Sequence, residues 1–145
     1  MENLRFLIPV CGETADEEAI RLACRLARPA KGILYVVYVI EVKRSLPLDA
    51  ESEPDTRKGE GVLARAEALA DTLDCRVQTE LLQAREVGPA IVDEAVERNV
   101  DMIVMGTGYR RRFGQFDMGT TLPYVFKNAP CRVVLWREPI EQGGK

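Results

Sequence analysis

Residues 101–136, DMIVMGTGYRRRFGQFDMGTTLPYVFKNAPCRVVLW, decide the fold of this chain. The segment predicts a strand, a glycine-rich basic loop, a helix and a second strand, in that order. Glycines let a backbone approach a ligand closely, a helix N-terminus attracts an anion, and arginines add forked positive donors. The residues with these properties are Gly106, Arg110, Arg111, Arg112, Gly119, Thr120 and Thr121. The segment therefore predicts an anion site, most plausibly for phosphate; a glycine-rich connection without a ligand is the alternative.

The rest of the chain repeats the alternation of strand and helix. Apolar or alternating runs at 4–10, 32–40, 75–82 and 131–136 predict further strands. Helical periodicity and helix-terminating residues predict helices over 14–28, 57–73 and 88–98. The alternation is typical of one open five-stranded parallel sheet with helices on both faces. Residues 41–56, with two prolines and acidic side chains, predict a solvated loop.

The glycine loop also carries a family resemblance. Gly106 and Gly119 stand thirteen positions apart, Thr120 follows, and the strand Ala129-Pro130-Cys131-Arg132-Val133 closes the segment. This pattern resembles the carboxyl-terminal motif of the universal stress protein (UspA) family. The resemblance covers the chain and implies one domain over residues 1–145. It implies strand order 3-2-1-4-5 in a Rossmann-like fold of the adenine nucleotide alpha hydrolase-like type.

The resemblance further implies a site for an adenine nucleotide, ATP or AMP. In this alignment Pro9, Val10 and Val39 line the adenine, and Met105 lines the base or ribose. The glycines and threonines of the loop hold phosphate or ribose, with Arg110 the arginine nearest the ligand. Two positions depart from the family pattern. Cys11 replaces an aspartate and Tyr109 replaces the middle glycine, so we expect weak binding. The nucleotide-binding candidates are Pro9, Val10, Cys11, Val39, Met105, Gly106, Tyr109, Arg110, Gly119, Thr120 and Thr121.

The composition narrows the classes of function. The 145 residues carry a formal charge of −3 and include no histidine, which argues against nucleic-acid partners and against a metal held by protein ligands. The four cysteines form no CxxC pair, and no apolar stretch approaches the ~20 residues of a membrane span. These features predict a reduced, cytoplasmic protein. Catalysis has little support: a slow nucleotide hydrolase would need Glu13, Glu41 or Asp117.

Three further hypotheses concern partners and thiols. The last strand, Cys131–Trp136, lies at a sheet edge in the implied order, and exposed apolar edges favour pairing with another chain. We therefore predict a homodimer through that strand. A nucleotide-free dimeric interaction or regulatory module, for example one that acts on a transporter, is the alternative function. Cys11 precedes a helix and is interpreted as a small buried residue, with a redox-sensing thiol as the alternative.

Overall fold

The computed structural model describes residues 3–109, 111–112, 115–116 and 118–140. The strands are β1 (Arg5–Pro9), β2 (Ile33–Glu41), β3 (Arg76–Ala84), β4 (Met102–Thr107), β5 (Arg111–Arg112), β6 (Gln115–Phe116) and β7 (Arg132–Arg137). The helices are α1 (Thr14–Ala27), α2 (Glu53–Thr72), α3 (Val87–Glu97) and α4 (Thr121–Asn128), and a 3₁₀ turn (Arg28–Ala30) follows α1.

Five strands form one parallel sheet in the order β3-β2-β1-β4-β7. The fifth strand of the sheet in sequence is β7, so the predicted order 3-2-1-4-5 is confirmed. β7 and β3 are the two edge strands. The short strands β5 and β6 pair antiparallel as a separate ribbon inside the loop that follows β4. The sequence predicts that segment only as a loop, because two-residue strands are too short to show alternation.

The two faces of the sheet are covered by different helices. One core cluster joins the sheet to α1 and α2 through the strand residues Phe6, Ile8, Leu34, Val36 and Val104 and through Val10, which follows β1. The other joins the sheet to α3 and α4 through Leu7, Val37, Ile103 and Met105. Successive side chains of a strand point to opposite faces, and these lists follow that alternation. The prediction of helices on both faces is confirmed.

The start of α2 differs from the prediction by four residues. α2 begins at Glu53, four residues before the predicted start at Arg57, because the hydroxyl of Ser52 accepts a 3.5 Å hydrogen bond from the amide of Asp55. The acidic side chains that predict a loop here favour the positive end of the helix dipole instead. α1 begins at Thr14, as predicted, and Glu13 is its N-cap residue.

The described residues form four α-helices and one 3₁₀ turn. None of them combines the length and the apolar character that a bilayer crossing requires.

Candidate functional site

The candidate site lies where β1 and β4 separate at their carboxyl ends. The two strands pair only at Phe6–Met102 and Leu7–Ile103. Beyond this point β1 stays with β2, because the amide of Val10 donates to the carbonyl of Val37 over 2.9 Å. The sheet order also changes direction between β1 and β4, since the chain runs outward to β3 on one side and to β7 on the other. Ligands of open parallel sheets bind at such switch points.

Three predicted residues share the face of the sheet that α3 and α4 cover. Pro9 is paired in register with Val37, and Val39 lies two positions further along β2. Val37 and Met105 both belong to the core cluster on that face, so alternation places Pro9 and Val39 there too. Pro9 and Val39 are half-buried, whereas Met105 is buried. Pro9 and Val39 can offer an apolar surface to a flat ring, and the buried Met105 belongs to the core on the same face.

Val10, the fourth residue predicted to line the base, has its side chain on the opposite face. It is buried in the cluster that contains α1 and α2. Only its backbone is therefore placed to meet a ligand on the face of Pro9 and Met105.

Gly106 is the position where β4 meets the first turn of α1. A Cβ atom at Gly106 would overlap the carbonyl of Ala15. A glycine is therefore required here for close packing between helix and strand, whether or not a ligand binds. The sequence predicts a ligand role for Gly106 but does not indicate this packing role, because the role depends on Ala15, which is distant in the sequence.

Asp16 is the principal feature of the site that the sequence analysis missed. Its carboxylate accepts hydrogen bonds from the amides of Cys11 (3.1 Å), Gly12 (2.7 Å) and Glu13 (3.1 Å). The β1–α1 loop thus directs three donors at an anion, and that anion is supplied by the chain itself. A signal was present, because an acidic residue three places after an N-cap is typical of a capping box.

The side chain of Asp16 is buried. Burial raises the pKa of its carboxyl above the ordinary value, and hydrogen bonds from the Gly12 and Cys11 amides oppose that rise. The nearby charge of Arg65 on α2 opposes it too. Asp16 and Arg65 line a cleft of about 340 Å³ between α1 and α2, with Val62 and Leu69 among its apolar walls.

Cys11 is exposed to solvent, so the interpretation of it as a buried core residue is wrong. It follows the end of β1, where the chain leaves the sheet before α1 begins. Its Sγ lies 4.0 Å from Oδ1 of Asp16. A carboxylate is therefore already close to the position at which the family pattern has an aspartate, although it comes from the next turn of chain.

The predicted start of α4 agrees with the structure. Thr120 is the N-cap residue and Thr121 is the first residue of α4. Gly119 has φ +68°, a left-handed conformation that favours glycine, and its Cβ position is open. Gly119 and Thr120 are both exposed, so the helix N-terminus is accessible to an anion.

Tyr109 is turned toward the α1 side of the β4–β7 edge. The guanidinium of Arg137 lies 4.9 Å from the centre of its ring. Together with Trp136, Tyr109 lines a cleft of about 870 Å³ whose other walls include Thr14 and Glu17 of α1. The ring therefore borders a cleft on the α1 face, not the face that carries Pro9, Val39 and Met105.

Two predicted residues, Arg110 and the hydrolase candidate Asp117, lie outside the described residues. Of the other two hydrolase candidates, Glu41 ends β2 and is exposed, and Glu13 caps α1. Within the described ranges no group of three or more histidine, cysteine or acidic side chains is arranged to hold a metal ion.

Comparison with known proteins gives relatives of matching length. A curated universal stress protein of Methanocaldococcus jannaschii is 29% identical over 146 residues, which cover 95% of this chain and 85% of that protein. The solved universal stress protein of Archaeoglobus fulgidus in complex with dAMP has a TM-score of 0.73 at 22% identity and covers 93% of this chain and 98% of that one. An Arabidopsis thaliana family protein with AMP bound has a TM-score of 0.68 at 14% identity, covering 94% of this chain and 93% of that one.

The strongest of these findings is at the level of the family. The sequence model of the universal stress protein family matches residues 2–137, which is nearly the whole chain. The fold, with its strand order, agrees with that match. This chain belongs to the universal stress protein family.

Proposed function

We propose that this protein is a cytoplasmic stress-response regulator that binds an adenine nucleotide weakly at the β1–β4 switch point. The observation that carries the proposal is the shared apolar face of Pro9, Val39 and Met105 beside the point where the two strands separate. Solved relatives hold dAMP and AMP, which makes an adenine ring the first candidate for that face. Membership of the family supports the regulatory role.

The phosphate end of the ligand is assigned to the loop after β4. The backbone of Gly106, the left-handed Gly119 and the α4 N-terminus at Thr120 and Thr121 supply the donors in this proposal. Arg110 remains a proposed phosphate ligand on the basis of the sequence alone. The amides of the β1–α1 loop are not part of the phosphate site, because Asp16 already occupies them.

The charges around the loop favour a nucleotide with few phosphates. The carboxylates of Asp16 and Glu138 both lie at this end of the sheet, and Glu138 is close to Gly108. Each added phosphate charge is repelled by them, whereas the adenine and ribose are not. We therefore infer that this protein binds AMP or a cyclic monophosphate better than ATP. We expect this preference to be stronger than in family members with fewer carboxylates at the loop.

The test is calorimetry with AMP, cyclic AMP and ATP on the parent and on two variants. Val39→Glu places a charge on the half-buried face proposed for adenine and should abolish binding. Val96→Glu is the matched control, because Val96 is 61% exposed on α3 and should leave the affinity unchanged. Equal affinity in both variants would contradict the proposed adenine face.

A second proposal concerns assembly through β7. This strand is an edge of the sheet, and its apolar residues Val133, Val134 and Leu135 are only half-buried. An edge strand offers unpaired backbone donors and acceptors to another chain. We propose a homodimer in which two β7 strands pair antiparallel about a two-fold axis.

Sedimentation at micromolar concentration checks the dimer. The parent should sediment as a dimer, and Val134→Lys should shift it to monomer. Val96→Lys introduces the same charge at an exposed site away from β7 and should remain dimeric. A monomeric parent, or a Val134→Lys variant that stays fully associated, would rule out this interface.

The cleft beside Tyr109 and Trp136 favours a second candidate function. The ring of Trp136 and carboxylates such as Glu17 form a surface that suits a positively charged, partly apolar segment of another protein, whereas Tyr109 is already in contact with Arg137. A nucleotide-free interaction or regulatory module, for example one acting on a transporter, would use this cleft. If calorimetry detects no nucleotide with the parent, this function replaces the nucleotide-binding one.

A further inference from the structure

Cys24 and Cys75, which are distant in the sequence, lie close together near the carboxyl end of α1. Cys24 lies in the second half of α1 and is 1% exposed. Cys75 lies between α2 and β3, is half-buried, and packs against the core cluster that contains Cys24. The two side chains are close enough to interact, and both thiols are free. A pair of neighbouring thiols, one buried and one partly exposed, has the arrangement of a dithiol that can be oxidised.

The backbone on both sides of the pair is held in place. The guanidinium of Arg28, just after α1, donates to the carbonyl of Leu73 over 2.9 Å. The amide of Cys75 donates to the carbonyl of Ala70 over 2.9 Å, and Asp74 makes a left-handed turn with φ +57°. The end of α1 and the turn after α2 are therefore fastened together within a few residues of both sulfurs.

The two thiols differ in their access to solvent. Burial, together with the interaction with Cys75, raises the pKa of the Cys24 thiol to about 12. Cys24 is therefore protonated at neutral pH and sealed in the core. A reagent from solvent can reach only the half-buried sulfur of Cys75.

We propose that Cys24 and Cys75 form an oxidation site that closes to an intramolecular disulfide by exchange with a small disulfide such as oxidised glutathione. Neither Cys24 nor Cys75 belongs to the proposed nucleotide site, so this oxidation site does not depend on nucleotide binding. The site connects α1, whose first turn carries Asp16, to the turn that leads into the edge strand β3.

The exchange runs in two steps. The thiolate of Cys75 attacks one sulfur of the glutathione disulfide, forms a mixed disulfide and releases one glutathione thiolate. Cys24 attacks Sγ of Cys75, which releases the second glutathione, and the proton of the Cys24 thiol passes to this departing thiolate. The two cysteines lose two electrons and two protons, and the external disulfide gains them. The second step is slow because Cys24 ionises rarely.

Intact-mass spectrometry and peptide mapping of the native full-length protein treated with oxidised glutathione test the proposal. One cross-linked peptide should contain residues 24 and 75 and weigh two hydrogens less than the two reduced peptides, and any glutathione on the exposed Cys11 is mapped to its own peptide. Cys24→Ala should stop at the first step and keep a glutathione adduct on Cys75. Cys131→Ala, the matched control at a half-buried cysteine outside the pair, should form the cross-link as the parent does.

Two results would overturn the proposal. One is a parent that keeps a stable glutathione adduct on Cys75 without the cross-link. The other is a Cys75 that stays unmodified in the native protein and reacts only after denaturation. If Cys24→Ala does not fold, Cys75→Ser serves instead, and Cys24 must then remain unmodified. The cross-linked parent should also melt several degrees above the reduced parent, because the bridge restricts the unfolded chain.

Discussion

The carboxylate of Glu138 accepts a 3.0 Å hydrogen bond from the hydroxyl of Thr14. Thr14 is the first residue of α1 and Glu138 follows β7, so this bond joins the first helix to the last strand. The missing side chain of Gly108 makes room for the same carboxylate, because a Cβ there would lie 2.7 Å from Oε1 of Glu138. The structure therefore places a negative charge against the loop proposed for phosphate.

Removing the charge of Glu138 should change the preference among nucleotides. Glu138→Gln is expected to tighten ATP by about threefold or more and AMP by less, because the repulsion grows with the phosphate charge. Glu97→Gln, at the exposed carboxyl end of α3, is the control and should alter neither affinity. Calorimetry with both nucleotides measures the ratio. An equal gain for ATP and AMP would contradict the electrostatic explanation.

Gly106 should be essential for stability even without ligand. Gly106→Ala is expected to lower the free energy of unfolding by about 2–3 kcal/mol, because the new Cβ overlaps the Ala15 carbonyl. Gly61→Ala on α2 meets nothing within 4 Å and should raise it by about 0.5–1 kcal/mol. Urea denaturation of both variants measures the difference. An unchanged Gly106→Ala would mean that β4 and α1 do not approach so closely in solution.

The pH dependence of stability should report on Asp16. Its pKa in the folded protein is raised above 3.8, so the folded state takes up this proton before the unfolded state as the pH falls. The stability of the parent relative to Asp16→Asn should therefore rise as the pH falls through the folded-state pKa, and level off below 3.8. Urea denaturation of the two proteins over a pH series gives the difference. A difference that shrinks toward acid pH would show that the amide bonds outweigh burial.

The cysteines should label in the order of their exposure. Cys11 is exposed, Cys75 and Cys131 are half-buried, and Cys24 is buried. A maleimide added to the native, reduced protein is expected to modify Cys11 first and Cys24 only after denaturation. Peptide mapping over time establishes the order. Protection of Cys11 until denaturation would restore the interpretation of this residue as core.

The fold follows from the sequence because its signals are local. The apolar runs that form β2 and β4 and the periodicity of α1 each lie within one short window. The strand order came from the resemblance, and the observed sheet confirms it. The early start of α2 was missed, because prolines and acidic residues occur both in loops and in first helical turns.

The candidate site was predictable only in part, because its side chains depend on contacts between distant segments. A helix start at Thr120 and Thr121, after Gly119, was predicted from these residues, and α4 begins at Thr121. The direction of the Tyr109 ring depends on Arg137, and the packing at Gly106 depends on Ala15. Neither contact can be inferred from the spacing of the glycines. The sequence therefore identified Tyr109 and Gly106 as important positions but did not predict which residues they contact.

The carboxylate of Asp16 has a consequence for the speed of ligand capture. Asp16 accepts hydrogen bonds from three amides of the β1–α1 loop, so this loop has its conformation before a nucleotide binds. A nucleotide that arrives at the switch point meets a loop that is already ordered. Its binding free energy is therefore not reduced by the entropy cost of ordering that loop. The β1–α1 side of the site is therefore a fixed template on which a nucleotide docks without rearranging the loop.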